Sequence, residues 1–328
     1  MSDFYAGKAV LVTGGLGFIG SNLAHALVES GARVTLVDSM LPDYGATLAN
    51  VEEIRSRVRV NFSDVRDRYS LQALVQDQDL IFSLAGQISH SESMRDPMTD
   101  LEINCSSQLS LLESCRARNP RVKIVFASTR QLYGRPKYLP VDESHPMEPV
   151  DVNGINKLAA ERYYSLYSEV HGLPTVSLRL TNTYGPRMEI TNDKKGFVGV
   201  FIRKALAGEK IQIFGTGEQR RDFNYVTDVV DALLVAGESD SVNGQVYNLG
   251  HPRPESLLEV VRVLGELAEF ECEKVPFPDA AAAIDIGDYY GDFSKFREAT
   301  GWQPRVGLEE GLGRTLAWYR AQGWPPSE

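Results

Sequence analysis

The chain has 328 residues, 43% of them hydrophobic and 24% charged, the make-up of a globular protein with one large core or two that share one. Its formal net charge of −10 argues against a nucleic-acid partner or an anionic membrane face, since both call for clustered lysine and arginine. Cys105, Cys115 and Cys272 fit neither a zinc spacing nor an even disulfide count, so free thiols, no metal and a cytoplasmic setting are expected. The first ten residues run almost directly into a strand, leaving no room for a signal segment, and no apolar run nears the ~20 residues of a membrane span.

Short β-branched runs at 9–13, 33–37, 58–61, 80–84, 122–127 and 175–180 read as strands. Helix-like stretches at 18–30, 70–76, 100–118 and 156–171 fall between them. Strand alternating with helix predicts βαβ units with right-handed connections. The fold class is therefore α/β, a doubly wound parallel sheet covered on both faces. After about residue 182 glycine and proline become frequent and the elements shorten, with helices near 199–207, 227–237 and 255–268 and a strand at 211–214. No flexible linker separates the parts. Residues 1–182 should form the sheet domain, also receiving parts of 223–250, and 183–328 mainly a smaller α+β substrate-binding cap. The cleft between them is the expected ligand site.

The first strand leads into Gly14-Gly-Leu-Gly17-Phe-Ile-Gly20 and then a helix. Such a turn needs residues without Cβ so that the backbone can approach a pyrophosphate, and the helix N-terminus adds amide donors and a positive dipole. A glycine triplet alone is weak evidence, but the second strand ends in Asp38, 18 residues beyond Gly20. A carboxylate there can accept both hydroxyls of an adenosine ribose and repel a 2′-phosphate, which points to a Rossmann dinucleotide site that takes NAD rather than NADP. Asp64-Val65 after the third strand can meet an adenine amino group, or can equally be a solvated strand end. Leu84-Ala85-Gly86-Gln87 closes the fourth strand with small residues, as a backbone passing close to a cofactor would.

From here the chain closely resembles the extended short-chain dehydrogenase/reductases, in particular the NAD-dependent nucleotide-sugar epimerases, dehydratases and decarboxylases. The resemblance rests on Thr13 to Gly20, on Ala127-Ser-Thr-Arg-Gln-Leu-Tyr-Gly134, and on Arg179-Leu-Thr-Asn-Thr-Tyr-Gly-Pro-Arg187. It continues through Gly217-Glu-Gln-Arg-Arg-Asp-Phe-Asn-Tyr-Val-Thr-Asp228 and the tail from Asp292 to Gly301-Trp-Gln-Pro304. It implies that Phe18, Ile19, Ser39, Asn104 and Lys157 join the glycines, Asp38, Asp64, Val65 and 84–87 around the cofactor. It makes Thr129 the residue that hydrogen-bonds the reacting sugar hydroxyl, and places Arg130, Asn182, Val198 and Arg221 against a nucleotide-sugar substrate. A homodimer built on 100–118 and 156–167 is implied too, through Leu109, Leu111, Leu112, Leu158, Tyr163, Tyr164 and Leu166.

The chain departs from the family pattern at three places. The two residues after Thr129, Asp and Glu in the dehydratases, are Arg130 and Gln131, which disfavours a 4,6-dehydratase. An arginine expected about ten residues before Asp292 is replaced by Ala280 to Ala283, leaving Arg187 or Arg203 as other phosphate grips. Four residues before Lys157, where the resembling enzymes carry a basic tyrosine, stands Asn153, and an amide cannot take a proton from an alcohol. Lys157 itself, or His90, Tyr133, Tyr163 or Tyr164, could serve instead, or the protein could bind cofactor and ligand without chemistry. The resemblance implies a 4-epimerase of a UDP-linked hexose or uronic acid first. A dehydratase or decarboxylase, a simple dehydrogenase and a silent binding protein are the alternatives.

Overall fold

A computed structural model describes residues 3–42, 44–193, 196–278 and 284–324. The stretch around Ala280 to Ala283, where the second phosphate-binding arginine was sought, lies outside the described residues. A seven-stranded parallel sheet organises the chain. Its strands are β1 (Ala9–Thr13), β2 (Arg33–Val37), β3 (Val58–Asn61), β4 (Leu80–Ser83), β5 (Lys123–Thr129), β6 (Thr175–Leu180) and a last strand at Val246–Asn248. The spatial order is Val246–Asn248, β6, β5, β4, β1, β2, β3. The chain winds outward from β1 to β3, then returns to β4 on the other side of β1. The strand order therefore reverses between β1 and β4, where a crevice opens beyond their carboxyl ends.

β1, β4 and β5 are buried almost throughout, as strands covered on both faces must be. One apolar cluster joins Val10, Val12, Leu36 and Phe82 to Val229, Leu233 and Leu249, so chain from beyond residue 223 packs on the same sheet. A second cluster, with Tyr184, Ile202, Ile213, Val260 and Leu316, gathers the later elements.

Two sequence expectations change. The stretch 100–118 is interrupted: Pro97–Leu101 and Ser107–Arg118 are α-helical, but Glu102–Ser106 between them widens into a π turn. Such turns recur beside functional sites, and this one carries buried Asn104. The expected dimer face also needs correction, because Leu111, Leu112 and Tyr164 are consumed by the protein's own core. Of the expected face Leu166 stays exposed, and Met98, Leu101, Ile155 and Val170 are exposed apolar residues beside it in these segments.

The helix expected at 156–171 starts earlier, at Val152–His171, because Asp151 caps it by accepting from Gly154 N at 2.7 Å. Farther along this helix buried Glu161 accepts from Arg179 Nε at 2.9 Å and Nη2 at 2.6 Å, and from Ser128 Oγ at 2.6 Å. Arg179 also donates to Tyr133 Oη, which donates to Asn248 Oδ1 at 2.7 Å. One network thereby ties β5, β6, the long helix and the last strand together. Removing the charge of Glu161 leaves a buried guanidinium without its partner, so Glu161→Gln should lower the unfolding free energy by about 3 kcal/mol in urea titrations.

Candidate active site

The main cavity, about 390 Å³, lies over the crevice between β1 and β4. Its walls come from the glycine turn, the ends of β2, β4 and β5, the start of the long helix, and residues 180–198. Thr13 joins the two strand ends, its Oγ1 accepting from Leu84 N and Ala85 N at 3.1 Å each. Gly14 has φ +69°, and a Cβ on Gly20 would lie 2.1 Å from Gly14 O, so the turn closes only with hydrogen at that position. Asp38 accepts from Leu16 N at 3.1 Å and Met40 N at 3.0 Å, which locks the end of β2 to the turn. Burial pushes its carboxyl pKa upward, against those backbone donations.

Gly14, Gly17, Phe18, Ile19, Gly20, Asp38, Ser39, Asp64, Val65, Leu84, Ala85, Gly86 and Gln87 all line this cavity. Asp64 is already gripped by Arg66, whose Nη2 lies 2.7 Å away, and that hydrogen bond holds its pKa below the usual carboxylate range. Asn104 stands behind the wall. Its Nδ2 donates to Gln87 O at 2.9 Å, and its Oδ1 lies 2.9 Å from where a Gly86 Cβ would be.

At the centre, Lys157 Nζ donates to Ala127 O at 3.1 Å and approaches the same bare face of Gly86. Burial lowers its pKa to about 8 against the opposing pull of Asp100. Asn153 lines the cavity one turn earlier, yet its Nδ2 is spent on Gln87 O at 2.8 Å and Asp100 Oδ2 at 3.2 Å. Asn156 Nδ2 donates to the other oxygen of Asp100 at 2.8 Å. Asn153 is thus a brace between the β4 loop and a buried carboxylate. Thr129 ends β5 and accepts from Gln131 N at 3.2 Å, leaving its hydroxyl hydrogen free to turn toward the cavity.

Of the groups considered in place of the missing phenol, only Lys157 and His90 line the cavity. Tyr133 and Tyr164 are fully buried, their hydroxyls committed to Asn248 and Gln108, and Tyr163 packs against the apolar cluster that holds Leu111 and Tyr164. Asp100 and Asp151 were missed by sequence reasoning. For Asp151 a signal existed, since an acidic residue three before a glycine at a helix start is a cap pattern.

On the cap side, Arg130, Asn182 and Val198 line the cavity. Arg130 Nη2 donates to Asn182 Oδ1 at 3.2 Å, and the guanidinium lies 5.0 Å from the ring centre of Tyr289. Among the described residues no carboxylate comes within ion-pair distance of Arg130, and burial pushes neighbouring Asp222 up to about 7. Arg221 lies outside the cavity wall, donating to Arg220 O and Gly287 O and standing 3.6 Å from Asp285. Arg187 and Arg203 are diverted as well, to Asn50 O and Asn22, and to Asp193. Arg130 is the one arginine among the described residues that faces the cavity.

Parallel sheet, glycine turn and acidic β2 end define a dinucleotide-binding oxidoreductase-type fold. The chain belongs to the NAD dependent epimerase/dehydratase family, which matches residues 10–250. It is 33% identical, over 95% of its length and 98% of the other's, to a Methanocaldococcus jannaschii protein provisionally named UDP-glucose 4-epimerase. It is 31% identical, over 95% and 98%, to a UDP-N-acetyl-alpha-D-glucosaminuronate decarboxylase of Bacillus cytotoxicus. The crystal structure of the Thermotoga maritima UDP-glucose 4-epimerase with UDP-glucose superposes with a TM-score of 0.87 at 31% identity, covering 96% of this chain and 99% of that one.

The residues present fit the family's cofactor. The cradle at Gly14 and Gly20 admits no side chain, and two buried acceptors, Gln87 Oε1 and Asn104 Oδ1, have no partner. Because Asp38 is fixed at the end of β2, NAD should bind at least about tenfold tighter than NADP, or about 1.4 kcal/mol. Asp38→Asn should narrow the gap. Calorimetry with both dinucleotides reads the difference directly, and equal affinities for the unaltered protein would remove Asp38 from this role.

Proposed function

We propose that the protein is an NAD-dependent nucleotide-sugar 4-epimerase, an isomerase acting on a UDP-linked hexose or uronic acid. The carrying observation is the set of groups around Lys157. A buried amine and a free threonine hydroxyl share the cavity, and neither position after Thr129 offers the carboxyl groups that an elimination would use. Bound in this cavity, NAD would supply a hydride acceptor and donor for the sugar carbon. Asp38 and Ser39 hold the adenosine ribose, Asp64 and Val65 border the adenine, and Lys157 holds the nicotinamide ribose. Thr129 orients the reacting hydroxyl, while Asn182 and Val198 face the nucleotide and its diphosphate. Arg221, walled off from the cavity, acts only through its neighbours.

Arg130 favours the uronic acid arm. A guanidinium facing the cavity beside Thr129, with no carboxylate partner among the described residues, suits a planar anionic group on the sugar. One relative is itself named for a glucosaminuronate. A second reading, a silent binder of NAD and nucleotide sugar, draws on the two hydrogen bonds that commit the Asn153 amide. The three unpaired cysteines suit a reducing cytoplasm.

Incubation with a panel of nucleotide sugars, followed by nicotinamide absorbance and product mass and stereochemistry, separates these readings. Tight sugar binding with no conversion would establish the silent binder. For an epimerase, Lys157→Met should abolish turnover and weaken NAD binding, and Thr129→Val should cost roughly 10²-fold in turnover. Arg130→Met should cost about 10- to 100-fold with a uronic acid substrate and little with the matching hexose. Equal losses with both would assign Arg130 to the diphosphate.

Assembly gives a further expectation. Ile155, Leu166 and Val170 fall within about 60° of one another at ~100° per residue, an exposed apolar stripe on the long helix. Light scattering at micromolar concentration should give a dimer mass, and Leu166→Glu should shift it toward monomer.

A further inference from the structure

Where the resembling enzymes carry a phenol, this protein has a committed amide, so the proton of the reacting hydroxyl needs another acceptor. His90 opens the short helix His90–Arg95 and lines the same cavity as Thr129, Asn153 and Lys157. Its Nδ1 lies 2.9 Å from Asp151 Oδ2, on a carboxylate that is 0% exposed. Asp151 is itself fixed from three sides, by Gly154 N at 2.7 Å, by Gln131 Nε2 at 3.0 Å and by His90. Burial alone would raise its pKa, but the contacts with His90, Gly154 and Gln131 outweigh that and hold it below the ordinary value, so the carboxylate stays charged.

A charged carboxylate facing Nδ1 selects the tautomer that carries its hydrogen there. Nε2, on the far edge of the ring, is then left with a lone pair. The solvent exposure of the ring is divided in the same sense. Nδ1 is shielded and stands in close ionic contact with Asp151 without hydrogen-bond alignment, whereas the side chain as a whole keeps 39% exposure. The shielded edge of the ring faces Asp151, and the residue lines the cavity. The same carboxylate caps the helix that carries Asn153 and Lys157, so the imidazole and the amine are positioned by one buried group. The other ionisable side chains on the cavity wall are Asp38, Tyr44, Asp64, Arg130, Lys157 and Glu189, and among the described residues only Asp151 comes within ion-pair distance of His90.

We infer that His90, oriented by Asp151, is the catalytic acid–base group that takes the proton from the sugar hydroxyl held by Thr129. The inference rests on the epimerase reading and deepens it. The O–H bond breaks with its proton going to His90 Nε2, and its electron pair becomes the second bond of the carbonyl. NAD, held by Asp38, Ser39 and Lys157, would supply the acceptor for the hydride of the same carbon. Return of hydride to the opposite face and of the proton from Nε2 restores the alcohol, so atoms and electrons balance over the cycle. Lys157 then positions the reacting groups and sets the local charge, and Asn153 only keeps the wall in place.

The test uses the full-length protein with NAD and the nucleotide sugar that the panel shows to be converted. His90→Gln should lower kcat by at least about 10²-fold, the scale of a lost general base. NAD and sugar affinities by calorimetry should stay within about threefold, which also shows that the variant is folded. His90→Ala should regain turnover when imidazole is added to the buffer, and His90→Ala in the presence of methanesulfonate salt of equal ionic strength should not. A His90→Gln protein that converts substrate within threefold of wild type overturns the assignment while leaving the epimerase reading intact. Wild-type protein that binds sugars and converts none overturns both.

Discussion

Glu161 is a carboxylate buried in the middle of an apolar sheet face, and its neutralisation by Arg179 constrains everything around it. A buried charge is tolerated only when its partner and its remaining lone pairs are satisfied. Here the bidentate guanidinium and the Ser128 hydroxyl satisfy both, so the long helix cannot slide or rotate against β5 and β6 without exposing an unpaired ion. Ser128 immediately precedes Thr129, and Glu161 lies one helical turn beyond Lys157. The separation of threonine hydroxyl and lysine amine is thus set by an ion pair that touches neither. Tyr133, which belongs to the same motif as Thr129, extends the lock to the last strand through Asn248.

The same device recurs closer to the cavity. Asp100 accepts from Asn153 and Asn156, and Asp151 accepts from Gly154 and Gln131 and faces His90. Each carboxylate fixes the polar residues around it in one rotamer, so the cavity wall is rigid before any ligand arrives. Preorganisation of this kind matters because misplacement of a reacting group by about 1 Å can cost 10²-fold in rate. The lysine amine, held against Ala127 O and shielded from water, has its pKa lowered to about 8 by the same enclosure.

Much of the architecture was legible because it follows local rules. Buried parallel strands write near-continuous apolar runs, and the turn after β1 writes glycines where a Cβ would strike Gly14 O or the start of the Ala85 loop. Asp38 was legible by spacing alone. Three things were not. The π turn at Glu102–Ser106 has no periodicity signal, since one extra residue in a turn is invisible against helical spacing. The fates of Arg187 and Arg221 depend on partners far away in sequence, Asn50 and Asp285, while Arg203 turns to Asp193 in the preceding loop, and an arginine's long side chain can reach any of several. Buried Asp151 escaped for a similar reason, since an aspartate before a helix reads as an exposed cap until the fold closes over it, and Asp100 sits inside a helix where a carboxylate reads as a solvated face.

The replacement of the family's tyrosine also looks different once its partners are known. An amide carries two hydrogens on one nitrogen, and Asn153 uses them to satisfy a backbone carbonyl and a buried carboxylate together. A phenol has a single hydrogen and a rigid ring, so at this position it could reach only one of those acceptors, leaving Gln87 O to Asn104 alone or Asp100 to Asn156 alone. Asp100 and Asn156 are therefore part of the substitution, not bystanders to it. A site that had merely lost its base would be free to carry alanine or serine there, and neither would need a carboxylate waiting behind it. The acceptors that Asn153 satisfies, and the charged carboxylate behind His90, are the surroundings on which the proposed proton path rests.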